Sequence, residues 1–95
     1  MPRKPVILCV DDEGNGLEGR KMLLEERGYK GLTATNGTEA LQLFALHPVD
    51  LVLFDYHMPK VTGDAVAGRM RASQPDVPIA LLSADEGMRS YLKAH

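Results

Sequence analysis

Four short, largely apolar runs alternate along the chain with longer segments in which apolar residues recur at helical spacing. The runs are Val6–Val10, Leu32–Thr35, Leu51–Phe54 and Ile79–Leu82. Continuous apolar runs of this length are typical of strands that are buried on both faces, as in parallel sheets. The pattern therefore predicts four parallel strands, of which the second is the weakest.

A helix is predicted after the first strand, from Glu13 to Arg27, and Gly28 is placed to end it with a left-handed residue. Three glycines weaken this helix, each by up to about 1 kcal/mol relative to alanine. Its apolar residues are Leu17, Met22, Leu23 and Leu24, and the weakening glycines are Gly14, Gly16 and Gly19.

The second helix has a strong start signal in the sequence. Asn36 offers an N-cap, and Glu39, three residues later, completes a capping box. Pro48 prevents the helix from continuing. The apolar stripe of this helix consists of Ala40, Leu41 and Phe44.

A third helix is predicted over Asp64–Ala72, with Val66 and Met70 facing inward, after a loop that contains Pro59 and Gly63. Residues 87–95 predict the start of a fourth helix. The order βαβαβαβα with short links favours one α/β domain over residues 1–95, with right-handed crossovers.

Composition narrows the classes of function. The chain has 95 residues and a formal net charge of −2, which argues against a surface for nucleic acid or anionic lipid. Cys9 is the single cysteine, so an internal disulfide is excluded and a reducing, cytoplasmic location is favoured. No apolar run approaches the roughly 18 residues of a membrane span. We interpret Cys9 as a small buried hydrophobe and Arg20 as an ordinary solvated helix charge.

Acidic residues follow two of the predicted strands. Asp11 and Asp12 come after the first strand, and Asp55 follows the third. Ligands of open α/β sheets bind beyond the carboxyl ends of the strands, where the strand order reverses. If the first and third strands are neighbours, the three carboxylates converge, and Ser83 after the fourth strand lies beside them.

Close carboxylates repel one another unless a cation lies among them, and Mg²⁺ prefers oxygen ligands. A carboxylate beside Mg²⁺ can attack phosphorus and form an aspartyl phosphate. The alternative interpretation is that each of these acids is a solvated carboxylate at a helix N-terminus. Ser83 has a similar alternative as a helix cap.

Several stretches of the sequence share the order and spacing of one family: Val6–Glu13, Asn36–Leu41, Asp50–Pro59, Gly63 and Pro78–Ala84. Together they resemble response-regulator receiver domains of two-component signalling, over about residues 6–91. The acid pair, the D-x-x-M-P motif and the hydroxyl-Ala step are specific in combination. The resemblance implies a doubly wound, flavodoxin-like α/β fold with strand order 2-1-3-4.

The resemblance also implies a role for each residue of the acidic site. Asp55 resembles the phospho-acceptor and Asp12 the direct Mg²⁺ ligand, while Asp11 acts through metal-bound water. The backbone carbonyl of His57 is similar to the third protein ligand, and Ser83 to the switch hydroxyl. The implied phosphoryl donor is a histidine kinase or a histidine phosphotransfer protein, and the implied function is a phosphorelay module instead of an enzyme. We expect the His57 side chain to tune the access of water to the phosphoryl group.

The sequence departs from the family pattern at its C-terminal end. The family has a fifth strand that ends in a lysine, followed by a fifth helix, and both would fall beyond His95. We therefore expect the fifth βα unit to be absent. Ile79–Leu82 then becomes an edge strand, and we expect homodimerisation or strand exchange through it, or else a longer natural chain.

Two other functions are compatible with the residues. One is a phosphorylation-impaired, truncated receiver that acts as an interaction or dimerisation domain. The other is an aspartate-nucleophile phosphatase, which usually carries an acid two residues after the nucleophile, where this chain has His57. A transition-metal site at His57 is disfavoured, because His47 and His95 lack ligand spacing.

Overall fold

The computed structural model describes residues 3–11, 16–55 and 60–82. The strands are β1 (Val6–Val10), β2 (Lys30–Ala34), β3 (Leu51–Asp55) and β4 (Ile79–Leu82). The helices are α1 (Leu17–Glu26), α2 (Gly37–Leu46) and α3 (Lys60–Ser73). The predicted fourth helix, residues 87–95, lies outside the described residues.

The four strands form one parallel sheet in the order β2-β1-β3-β4. In this order β2 lies on one side of β1, and β3 and β4 lie on the other side. The strand order reverses between β1 and β3, which is where doubly wound sheets hold their ligands. The predicted doubly wound α/β fold with order 2-1-3-4 is confirmed.

Alternate residues of β1 face opposite layers of helices, as the two-residue period of a strand requires. One face packs with α2 and α3, in a cluster of buried residues that includes Val6, Leu8, Val10, Phe44, Val66 and Met70. The other face packs with α1, in a cluster that includes Ile7, Cys9, Leu17, Leu24, Leu51 and Leu53. Because both faces are covered, every residue of β1 is buried. This explains the continuous apolar run in the sequence.

Helix α1 begins at Leu17, and residues 13–15 of the predicted helix lie outside the described residues. Gly16, the N-cap, has a φ of 84° and no side chain with which to cap the helix. A left-handed residue at this position cannot belong to a right-handed helix. The end of α1 is as predicted: Gly28, one residue beyond the C-cap, is left-handed with a φ of 90°.

The apolar residues of α1 were predicted only in part. Leu17 and Leu24 are buried against the sheet, as expected. Met22, also assigned to the apolar residues, is 60% exposed. It lies two residues from Leu24, so the 100° turn per residue directs it away from the buried face.

The N-cap of α2 confirms the predicted capping residues but changes one hydrogen bond. The backbone N–H of Glu39 donates to Oδ1 of Asn36 at 2.8 Å. The Glu39 carboxylate accepts from the backbone N–H of Thr35, also at 2.8 Å, one residue before the cap. Because Thr35 directly follows β2, this bond links the end of the strand to the first turn of α2.

Helix α3 begins at Lys60, earlier than the predicted Asp64, so Gly63 lies within the helix instead of the loop. An isolated glycine is tolerated inside a helix at a cost of about 1 kcal/mol, which makes it a weak boundary signal. Val66 and Met70 face inward as predicted, with 7% and 0% exposure. Within the described ranges, no helix is long and apolar enough to cross a membrane.

Candidate functional site

Asp11 and Asp55 occupy corresponding positions at the carboxyl ends of the neighbouring strands β1 and β3. The last paired residues of β1 and β3 are Val10 and Phe54, and the two acids are the next residues of their chains. Asp55 is the final residue of β3. The backbone N–H of Asp11 donates to the carbonyl of Ala34 at 3.0 Å, which extends the β1–β2 ladder by one residue.

Adjacent strands lie about 4.8 Å apart, so the backbone brings these two acidic positions together at the carboxyl edge of the sheet. This is also where the strand order reverses, since β1 and β3 are the strands on either side of that point. The predicted neighbour relation between the first and third strands is confirmed.

The fourth strand ends at the same edge. Leu82, the last residue of β4, is the strand partner of Asp55, and Ser83 follows it in the sequence. Ser83, Asp12 and His57 lie outside the described residues, so the roles predicted for them stay predictions.

Asp11 is a buried carboxylate, with only 1% of its side chain exposed. An isolated charge at such a position is costly unless an opposite charge or a hydrogen bond compensates it. Nη1 of Arg20, in the first turn of α1, lies 3.7 Å from Oδ2 of Asp11. The Arg20 side chain is itself only 18% exposed. The interpretation of Arg20 as an ordinary solvated charge is therefore wrong.

A signal for Arg20 was present in the sequence. Arg20 lies three residues after Leu17 and four before Leu24, the two residues of α1 that are buried against the sheet. Helical periodicity therefore places a cation on the apolar stripe, where solvated charges do not belong. Its charge also reaches Cys9: burial raises the pKa of that thiol to about 12, although Arg20 acts in the opposite direction.

The donor chemistry at this edge fits a hard cation. The buried carboxylate of Asp11 is an oxygen donor, and it lies at the level of a second acidic position, Asp55. Mg²⁺ prefers such oxygen ligands and usually takes only one or two carboxylates from the protein. Among the residues that the structure describes, no group of three His, Cys, Asp or Glu side chains forms a complete metal site. Two of the implied ligands, Asp12 and the His57 carbonyl, lie outside them.

Comparison with known proteins decides the family. The family model described as the response regulator receiver domain matches residues 7–95. The chain belongs to this family. The parallel sheet in the order 2-1-3-4 is therefore the sheet of a receiver domain of two-component systems.

Curated relatives share this receiver domain within larger proteins. The probable transcriptional regulator ycf27 of Cyanidium caldarium is 40% identical over 84 residues, which is 88% of this chain and 33% of that protein. The autoinducer 1 sensor kinase/phosphatase LuxN of Vibrio harveyi is 34% identical over 87 residues, 92% of this chain and 10% of that protein. The chain thus spans about a third of the first relative and a tenth of the second.

Solved structures agree with the fold. The response regulator protein TrrA from Thermotoga maritima, in complex with Mg(2+)-BeF, is 44% identical with a TM-score of 0.74, over 95% of this chain and 78% of that one. A CheY-like receiver domain protein from Methanospirillum hungatei JF-1 has a TM-score of 0.83 over 96% and 90% of the two chains. At 21% identity, the second likeness shows the fold alone.

Proposed function

We propose that this receiver domain is a phospho-accepting module of a phosphorelay, in which Asp55 receives a phosphoryl group from a histidine kinase or a histidine phosphotransfer protein. One observation carries the proposal. Asp11 and Asp55 directly follow the last paired residues of β1 and β3, the two strands between which the strand order reverses, in a chain of this family. Phosphorylation would then change a surface that binds other proteins.

In the proposed reaction, a carboxylate oxygen of Asp55 attacks the phosphorus of a phosphohistidine. The new P–O bond forms as the P–N bond breaks, and the imidazole leaves with the electron pair and takes up a proton. Positioning and charge neutralisation are the main contributions a protein makes to such a transfer. The end of β3 fixes the backbone of the acceptor beside β1. The buried Asp11 on the neighbouring strand is an oxygen donor for the cation that would offset the phosphoryl charge.

Mg²⁺ is the metal that this donor set fits, and we assign Asp12, Asp55 and the backbone carbonyl of His57 as its ligands, with Asp11 acting through water. When bound, the metal supplies positive charge that offsets the charge on the phosphoryl oxygens. The Mg(2+)-BeF complex of the TrrA relative supports the choice of metal.

Two further residues are proposed to act after the transfer. Ser83 follows β4, the strand that pairs with β3 at Asp55, and we assign it as the switch hydroxyl that turns toward the phosphoryl group. We propose that the His57 side chain tunes the access of water to the phosphoryl group. The lifetime of the phosphorylated domain should change in His57→Ala, and an unchanged lifetime would refute that assignment.

The proposal also covers the kind of activity of the domain, its cellular location and its contacts with nucleic acid. It is not an enzyme in the ordinary sense, since at most it catalyses its own phosphorylation and dephosphorylation. We assign it to the cytoplasm and give this chain no nucleic-acid contact of its own, in line with its net charge of −2. The chain matches part of a relative named as a probable transcriptional regulator and part of one named as a sensor kinase/phosphatase, so we assign it no particular output.

The test is incubation with a small phosphoryl donor and Mg²⁺, followed by intact mass measurement. The wild-type chain should gain the mass of one phosphoryl group, and Asp55→Asn should gain none. Asp64→Asn, which removes an exposed carboxylate on α3, is the matched control and should gain the same mass as the wild type. No gain in the wild-type chain would overturn the proposal.

That negative outcome would favour the second candidate, an interaction or dimerisation domain. One observation supports it: within the described residues, β4 pairs with β3 on one side and forms an end of the sheet. An edge strand presents backbone groups that can pair with another chain. Light scattering tests the dimerisation form of this candidate, which predicts a dimer; a stable monomer at high protein concentration would contradict self-association.

A further inference from the structure

Arg20 combines three properties that a solvated surface charge does not have. Its side chain is largely buried, it lies on the face of α1 that packs against the sheet, and its guanidinium is 3.7 Å from the Asp11 carboxylate. The backbone N–H of Arg20 donates to the carbonyl of Gly16 at 2.9 Å, so the first hydrogen-bonded turn of α1 fixes the position from which the side chain reaches the site.

The electrostatic consequence depends on whether a metal is present. Without metal, the guanidinium offsets the charge of a carboxylate that has lost nearly all contact with water. If Mg²⁺ were held near Asp11 through water, as proposed, Arg20 would be a second cation beside the same carboxylate, and the two positive charges would repel each other. The same side chain should therefore stabilise the metal-free domain and oppose metal binding.

We propose that Arg20 is a positioning residue of the acidic site, which holds and neutralises Asp11 in the metal-free state and thereby sets the Mg²⁺ affinity of the domain. This inference rests on the proposed function, because it assigns Asp11 to the metal site. It goes beyond that function by naming a residue of α1 that regulates the occupancy of the site.

The experiment compares Mg²⁺ affinity by titration calorimetry with thermal denaturation in the presence of a chelator. Arg20→Met keeps the length and apolar packing of the side chain but removes the charge. It should bind Mg²⁺ about tenfold more tightly than the wild type, the order expected for losing a nearby like charge in a partly buried site. Its metal-free Tm should fall by about 4 °C or more.

Two further variants separate this role from simple packing. Arg27→Met removes the same charge from the exposed C-terminal end of the same helix and should leave both quantities close to wild type. Arg20→Lys keeps the positive charge and should keep the wild-type affinity. A purely structural role would weaken the folded state without raising the affinity for Mg²⁺. If Arg20→Met does not fold without metal, Arg20→Gln replaces it and should bind Mg²⁺ more tightly than Arg20→Lys.

Equal Mg²⁺ affinities in the wild type and in the variants without charge at residue 20 would overturn the inference. If the wild-type chain still binds Mg²⁺ and is phosphorylated on Asp55, the proposed function survives that result. A wild-type chain that binds no Mg²⁺ would contradict both.

Discussion

Gly37, the first residue of α2, lies so close to Val66 of α3 that a Cβ atom on it would be 2.7 Å from Cγ2 of the valine. Val66 is buried and β-branched, so its χ1 angle has little freedom within a helix. The two helices therefore approach each other at this point because residue 37 has no side chain.

Gly37→Ala should lower the free energy of unfolding by about 1–3 kcal/mol, because the added methyl group overpacks the contact between α2 and α3. Urea denaturation followed by circular dichroism measures the effect. Combining it with Val66→Ala should recover part of the loss, since the truncated side chain makes room for the new methyl. Strictly additive effects of the two substitutions would contradict this explanation.

The matched control is Gly68→Ala, also a glycine of a helix. A Cβ at Gly68 would meet no other atom within 4 Å. This variant should raise the free energy of unfolding by about 0.5–1 kcal/mol through the higher helix propensity of alanine.

The sequence predicted β1, β3 and β4 well, because burial on both faces of a parallel sheet leaves a direct trace in the residues. The second strand, predicted as Leu32–Thr35, is Lys30–Ala34, and it is only partly buried. Ile79–Leu82 was predicted with its observed bounds, and the run that ends at Phe54 differs from β3 only by Asp55. The starts of α1 and α3 were predicted less well than that of α2, since glycine signals more than one conformation. Gly16 is left-handed and precedes α1, whereas Gly63 lies inside α3.

The candidate site was predictable as a set of strand ends but not as a set of contacts. The positions of Asp11 and Asp55 follow from strand order, which the alternation of elements and the family resemblance both indicate. The pairing of Asp11 with Arg20 depends on which face of α1 turns toward β1. That orientation is visible in the spacing of Leu17, Arg20 and Leu24, but only when the arginine is counted as part of the buried stripe.

Asn36→Ala should lower the free energy of unfolding by about 1 kcal/mol, because the Glu39 N–H at the start of α2 loses its acceptor. Asn36→Ser keeps a side-chain oxygen at the N-cap and should retain most of the stability. Thermal denaturation of the two variants provides the comparison. Equal Tm values for the alanine and serine variants would show that the side-chain cap does not contribute.

Cys9 should react with thiol reagents only when the domain unfolds. Its side chain lies in the sheet with 1% exposure, and burial raises the pKa of the thiol to about 12. Because the thiolate is the reactive form, the folded protein should be inert at neutral pH. Labelling by a chromogenic disulfide reagent at pH 8 should therefore proceed no faster than unfolding and should become complete in urea. Rapid labelling of the native protein would contradict the buried position.

Asp50 joins the start of the chain to the beginning of β3, and this link should make stability depend on pH. Its carboxylate accepts two hydrogen bonds from the Arg3 guanidinium, at 2.8 and 3.0 Å, and one from the backbone N–H of Val6 at 2.7 Å. These hydrogen bonds hold the pKa of Asp50 below its ordinary value. The bonds from Arg3 have the largest effect, and the bond from Val6 has the next largest.

A carboxylate whose pKa is lower in the folded state stabilises the protein above its unfolded pKa, about 3.9 for aspartate, and this contribution is lost as the pH falls through the folded pKa. The effect should be modest, because the Asp50 side chain is 41% exposed and solvent screens the pair. Asp50→Asn should therefore unfold at lower urea concentration than the wild type at pH 7. The difference should shrink steadily as the pH falls from about 5 to 2. Arg3→Met, which keeps the bond from Val6, should show part of the same loss. If Asp50→Asn loses as much stability as the wild type between those pH values, another carboxylate is responsible for the acid sensitivity.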